Sequence, residues 1–312
     1  MMNPISICKI EYPKYINIDY TIMDIRDIKE EPEIVENGKF LEKIYELQKV
    51  LLDHYIGIEG LPQYPVDVNT KSSQVLLKDF TGRVTEELAE GYESHLLVHE
   101  MIQKVGMNLD LMDTETYDQM ISHLQNLNEE QADAIHFMVE LLIYANIQPE
   151  DIKSWVIKKW KKETYPISYT QVDTKCKDII HLSMQLGMLN ILDYYENDLN
   201  SQKVYLLDES LTEEQIQYLP GGRVYSWDLV DNSRKVLWDV TYALNISRNC
   251  LKNKPWKQSG VMTNESLYQS KLVEAFVYMM GYYALLGMDS SQIYYLYFKK
   301  NKVNQFRIAS KY

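Results

Sequence analysis

Two short stretches carry carboxylates at a spacing that suits metal chemistry. Glu87-Leu88-Ala89-Glu90 and Glu130-Gln131-Ala132-Asp133 each place two acids three residues apart within helix-periodic segments. Residues at i and i+3 lie on neighbouring parts of one helix face, so each pair presents its oxygens together. Two such helices packed side by side gather four carboxylates. Like charges that close cannot all stay ionised without a cation between them. An all-oxygen donor set suits Mg2+, or Mn2+ in its place. The chemistry to expect is that of a metal-dependent enzyme acting on phosphate. The plainer alternative is an ordinary set of solvated helix acids, since glutamate is a good helix former.

Placement on the helices favours the first reading. Phe80, Val84, Leu88 and Tyr92 form the apolar stripe of one helix. Glu87 falls at the edge of that stripe and Glu90 just beyond it, while Glu86 and Glu93 point further toward solvent. On the other helix Glu130 and Asp133 line up with Phe137, Leu141 and Tyr144. The opposite face carries Ile135, Met138, Val139 and Leu142, so this helix is apolar nearly all round and predicted to be buried. Buried carboxylates need a partner or a metal.

The whole chain sets bounds on what such a site can serve. With 312 residues it can bury one large core or two smaller ones, and few glycines and prolines favour helix over sheet. A net charge of −13 argues against coating a nucleic acid, although a nucleotide can still be held through a metal. Three scattered cysteines, Cys8, Cys176 and Cys250, make no disulfide framework and fit a reducing cytosol. Residues 1–18 lack the continuous apolar core of a signal peptide. The longest apolar run, 275–288, is too short to span a bilayer. The expectation is a cytoplasmic protein with neither membrane nor stable nucleic-acid partners.

Three regions follow in order. Residues 1–35 alternate weakly and read as a short extended arm. Residues 36–165 form a helical half that carries the acids. Its first helix begins near Phe40 and holds Gln48 inside the apolar stripe, either as a satisfied core amide or as a reader of a base edge. Ser72 or Ser73 is the expected cap of the helix with Glu87 and Glu90, and the segment 155–164 is basic and amphipathic. Residues 166–312 form a second helical half, with helices expected over 178–195, 237–251 and 266–286 and a turn at 219–222. In a last helix, capped by Asp289-Ser290-Ser291, Lys300, Asn304 and Arg307 continue the stripe of Ile293 and Tyr297. Two cations and an amide at that spacing suit phosphate and sugar contacts. The fold class expected is an all-α bundle. The halves also resemble each other. Residues 134–152 lie on 275–293 without a gap, and 84–88 lie on 240–244. In that register Ala243 and Ile246 replace Glu87 and Glu90, and Lys271 and Glu274 replace Glu130 and Asp133, so the second copy has lost the acid cluster.

Four pieces together resemble the all-α nucleoside triphosphate pyrophosphohydrolases, and within them the dimeric dUTPases, relatives of MazG. They are Leu47-Gln48, Glu87-Leu88-Ala89-Glu90, Glu130-Gln131-Ala132-Asp133 followed by His136-Phe137, and Lys299-Lys300-Asn301-Lys302-Val303-Asn304-Gln305-Phe306-Arg307. The last matches the family's closing KN-x-x-N-x-x-R pattern. The resemblance implies Mg2+-dependent cleavage of dUTP to dUMP and pyrophosphate, and a homodimer. It assigns the metal to Glu87, Glu90, Glu130 and Asp133, with Glu87 the acid nearest the water and Glu86 its substitute. It also assigns substrate contacts to Gln48, Lys300, Asn301, Asn304 and Arg307. The family's Trp-Lys pair corresponds here to Trp256 and Lys257, displaced into the second half. Leu51 stands where the family has an asparagine that reads uracil, so a dCTP or modified-pyrimidine pyrophosphatase stays open beside dUTP. Large DNA phages encode relatives of this kind. From another class, a non-catalytic helical interaction protein, docking through residues 155–162, is the alternative.

Overall fold

In the computed structural model, residues 24–163 and 229–310 are described apart from 37, 107, 255 and 287, together with residues 188, 216–218 and 224–226. The elements are α1 (Phe40–Glu59), α2 (Lys71–Lys104), α3 (Thr114–Tyr144), α4 (Pro149–Glu163), β1 (Ile216–Tyr218), β2 (Val224–Ser226), α5 (Leu229–Cys250), α6 (Glu265–Leu285) and α7 (Ser290–Ser310). The architecture is an all-α bundle. Its one departure among the described residues is the antiparallel strand pair β1–β2; the turn expected at 219–222 lies outside the described residues. Of the helix expected over 178–195, only Met188 lies within the described residues, helical and buried. No described helix is long and apolar enough to cross a membrane.

Local chemistry starts and stops these helices. Gly60 ends α1 in the left-handed conformation, at φ 69°, which glycine adopts without a Cβ penalty. The cap of α2 is Thr70, whose side chain accepts from the Ser73 amide, rather than Ser72 or Ser73. Threonine wins because it has the extended backbone of a cap, whereas both serines already lie within the helix. Asp113 caps α3 through the Thr116 amide at 2.8 Å. Asp289 does the same for α7 through the Gln292 amide at 2.9 Å, as the sequence leads one to expect.

Helices α2 and α3 pack antiparallel. Ser94 Oγ accepts from Asn126 Nδ2 at 2.9 Å, while Gly91, earlier on α2, lies against Leu127 and Glu130, later on α3. A Cβ on Gly91 would stand 3.3 Å from the Glu130 Cβ, so the close approach of these backbones depends on glycine. The pair α5–α6 repeats the arrangement, and the repeat extends to single hydrogen bonds. After α3, Ile147 donates to Leu142 O at 2.9 Å and the Gln148 amide to Asp151 Oδ2 at 2.8 Å. After α6, Met288 donates to Tyr283 O at 3.0 Å and the Asp289 amide to Gln292 Oε1 at 2.9 Å. These are equivalent positions in the register that lays 134–152 on 275–293.

One continuous apolar core joins the halves. It includes Leu41 and Ile44 of α1, Leu77 and Val84 of α2, Met138 and Tyr144 of α3, Val240 of α5, Phe276 of α6 and Tyr297 of α7. Helix α7 packs on α1 and α3, so the end of the second half closes over the first. Residues 24–31 are fastened along α7 by Lys299, a buried cation donating to Ile28 O at 2.9 Å, Glu30 O at 2.6 Å and Glu31 Oε1 at 3.1 Å. Residues 1–23 lie outside the described residues. Trp155 turns inward and donates to Ser270 on α6 at 3.3 Å; the side chains of 157–163 lie outside the described residues.

Candidate active site

Where α2 meets α3 above Gly91, oxygens of Glu87, Glu90 and Glu130 come within 4.8 Å of one another. Glu87 and Glu130 are half-buried and Glu90 is exposed, so the cluster opens to solvent on one side. The electrostatics are those of crowded carboxylates. Burial, then the charge of Asp133, a hydrogen bond with Glu130, and the charges of Glu130 and Glu90 push Glu87 up to about 8. Burial also raises Glu130, against the lowering effect of its bond to Glu87. This crowding favours a proton on the Glu87–Glu130 pair. A dication placed among the three would replace that proton and relieve the repulsion. Three carboxylates with an open side are the oxygen donors that Mg2+ takes.

Asp133 lies alongside but is otherwise engaged. Lys300, reaching across from α7, holds Asp133 Oδ2 at 2.7 Å and Glu129 Oε1 at 2.9 Å. The lysine side chain is 5 % exposed. Burial disfavours its ammonium, yet Asp133 and Glu129 outweigh that and raise its pKa. Burial raises the Asp133 pKa, and Lys300 and Arg307 work to lower it. Arg307 is thus a second cation of α7 within electrostatic reach of the acids. Asn304 lies on the same face between them, half-buried.

Behind the acids runs a buried polar chain. The Gln48 side chain is 0 % exposed and both ends of its amide are occupied. Its nitrogen donates to Glu140 Oε1 at 2.7 Å, and its oxygen accepts from the Tyr297 hydroxyl. Glu140 is pushed up to about 8 by burial, against the pull of Arg83 and the Gln48 bond. Tyr297 stacks on His136 with centroids 4.0 Å apart. His136 contacts Ala132 O through Nδ1 at 2.7 Å, and burial lowers it to about 3, so it is neutral. Asn301 is likewise buried, contacting Leu47 O at 3.4 Å and accepting from Gln305 at 2.7 Å. Gln48 and Asn301 therefore sit in the wall of the site.

The remaining candidates lie elsewhere. Glu86 is exposed and lines a concavity on the outer side of α2 with Lys78, Arg83, Arg248, Lys254 and Trp256. Trp256 is exposed there, and the Lys257 carbonyl accepts from Lys71. In the second half, Lys271 and Glu274 pair at 2.8 Å where the first half has Glu130 and Asp133, and Ala243 is fully buried. An ion pair thus fills the place of the acids. Sequence reasoning passed over Glu129, Glu140 and Tyr297 as site residues. The signal for Glu140 was present: it is the one charged residue in the apolar run from Phe137 to Tyr144.

Comparison with curated proteins and with solved structures gives no match. Residues 150–312 match the sequence profile of the family described as dUTPase. The matched part holds α5, α6 and α7, hence Lys300, Asn304 and Arg307, whereas the acids on α2 and α3 precede it. Half the chain is covered, and the matched half delivers its cations onto the acids of the other. The chain belongs to the dUTPase family, hydrolases of the phosphoanhydride bond of dUTP.

Proposed function

We propose that this chain converts dUTP to dUMP and pyrophosphate with Mg2+ held by Glu87, Glu90 and Glu130. The observation that carries the reading is the convergence of these three carboxylates beside a cation-bearing helix. Bound there, Mg2+ would neutralise phosphate charge and orient water. Glu87, at the edge of the apolar stripe and within the acid cluster, is the acid assigned to the attacking water. Arg307 and Asn304 face the phosphates and set their orientation. Gln48, fixed by Glu140 and Tyr297, shapes the floor on which the pyrimidine rests.

That engagement of Gln48, together with Leu51 where the family reads uracil with asparagine, supports a second reading. In it dCTP or a modified pyrimidine nucleotide is the preferred substrate. The protein acts in nucleotide-pool sanitation in either case. A panel of deoxynucleoside triphosphates incubated with Mg2+, read as pyrophosphate release, separates them. Turnover led by dUTP supports the first, turnover led by a cytosine nucleotide the second. No release from any pyrimidine nucleotide, with Mg2+ or Mn2+, would sink both.

A further inference from the structure

The concavity on the outer side of α2 lies apart from the carboxylate cluster. Lys78, which lines it, precedes Glu90 by about 18 Å along the helix, at 1.5 Å per residue. Its volume is about 530 Å3, a size that suits a small molecule. Part of that space is left open by Gly82, within α2, where an added Cβ would meet nothing within 4 Å.

Three cations from both halves of the chain line it: Lys78 of α2, Arg248 near the end of α5, and Lys254 just beyond. Burial, then the positive charges of Lys254, Arg248 and Lys252, hold the Lys78 pKa below the ordinary lysine value. Its ammonium donates to a neutral group, the Asn253 carbonyl, at 3.2 Å. The acids of the rim are engaged with Arg83: Asp79 binds it at 3.0 Å, and the charge of Glu86 acts on it. Folding, not side-chain freedom, sets this crowding. The Asn253 amide donates to Gln74 Oε1 at 2.8 Å and its side chain to Asn69 O at 2.8 Å, so the segment after α5 is pinned to the start of α2. Gln74 is fully buried and Asn253 nearly so. Beside the cations, the exposed Val75 and Trp256 form an apolar wall, with the Lys254 ammonium 5.7 Å from the indole centroid. Like charges held this close favour an anion among them, and lysine with arginine suits phosphate oxygens.

We propose that this concavity binds a phosphate chain, without a metal ion, at a site separate from the carboxylates. Lys78, Arg248 and Lys254 are its donors. The chain can belong to a nucleotide, whose base would lie on Trp256, or to a free polyphosphate. Because the donors come from α2 on one side and from α5 and the segment after it on the other, an occupant ties the two halves together and stabilises the fold. The inference does not depend on the metal-dependent reading, and either can fail alone.

The test is calorimetric titration of the full chain in EDTA with pyrophosphate and, separately, with ATP. EDTA withholds the metal through which the carboxylates would take phosphate. Binding should appear, and each of Lys78→Gln and Arg248→Gln should weaken it about tenfold, the cost of one hydrogen bond to a charged group. Gly82→Leu raises helix propensity and fills the open space, so it should abolish binding while the free chain melts no lower than the wild type. Tighter binding of ATP than of pyrophosphate identifies a nucleotide lying on Trp256, and equal binding identifies a free phosphate chain. Failure of both probes to bind would overturn the proposal. So would binding that Arg307→Ala removes and Arg248→Gln leaves intact, because the anion would then sit on α7.

Discussion

Replacing Glu140 with glutamine swaps a buried carboxyl for its neutral isostere and isolates the effect of its proton. In the folded chain Glu140 is 6 % exposed and pushed up to about 8 by burial, from an ordinary value of 4.5. The folded state therefore keeps a proton that the unfolded chain releases above its own pKa. The stabilisation is fully present below pH 4.5 and is lost as pH rises through about 8. At ~1.4 kcal/mol per pH unit, the loss reaches about 3 kcal/mol by pH 7 and about 5 kcal/mol once Glu140 ionises. A glutamine there carries no such dependence, and its carbonyl still accepts from the Gln48 amide. The variant and the wild type should melt together near pH 4.5 and diverge upward. At pH 7 the variant should be higher by about 5 °C for a chain of this size. Scanning calorimetry of metal-free protein at several pH values measures the difference, in which the titration of Glu87 cancels. A difference that stays flat with pH, or a wild type that gains on the variant as pH rises, would refute the argument and place an ionised Glu140 in the fold.

Glu130→Gln should remove turnover while Glu274→Gln, its partner Lys271 aside, should leave most of it, as pyrophosphate release will show. Arg307→Ala should raise KM for the triphosphate, lower kcat, or both, in steady-state kinetics; unchanged constants would make α7 scaffold only. Tyr297→Phe leaves the Gln48 carbonyl without its donor in a fully buried position and should cost about 1–3 kcal/mol, read from the urea midpoint. Gly91→Val should weaken Mn2+ binding beyond its effect on melting temperature, because its side chain meets the Glu130 Cβ only 3.3 Å from where its own Cβ begins.

Much of this arrangement can be read from the chain because it depends on period and spacing. The stripe through Phe80, Val84 and Leu88 orients Glu87, and a helix apolar nearly all round carries Glu130 and Asp133. The likeness of the halves shows in the gapless register between them, and the hydrogen bonds closing α3 and α6 repeat in that register. What spacing does not give is pairing across the fold. Lys300, Asn304 and Arg307 share a helix face, but nothing in their spacing says that Lys300 meets Asp133 and Glu129 instead of solvent. Gln48 stands out as a polar residue in an apolar stripe, yet its partners are Glu140 on α3 and Tyr297 on α7. Sequence reasoning sets the cap of α2 a few residues late because three hydroxyl residues crowd its start. Only backbone geometry distinguishes Thr70 from the serines.

The closure of α7 over α1 and α3 also fixes when in the life of the chain the centre comes into being. Tyr297 lies 249 positions beyond the Gln48 it binds, and Lys300 lies 171 beyond Glu129. At about 5–20 residues per second on the ribosome, α1 waits on the order of 10 to 50 s for the helix that completes its polar chain. Through that interval the nascent first half carries its carboxylates without the ammonium that steadies them. The chain thus emerges as a nucleotide-binding surface in waiting. Nothing short of α7's arrival assembles its acids, its cations and its buried amide into a single centre.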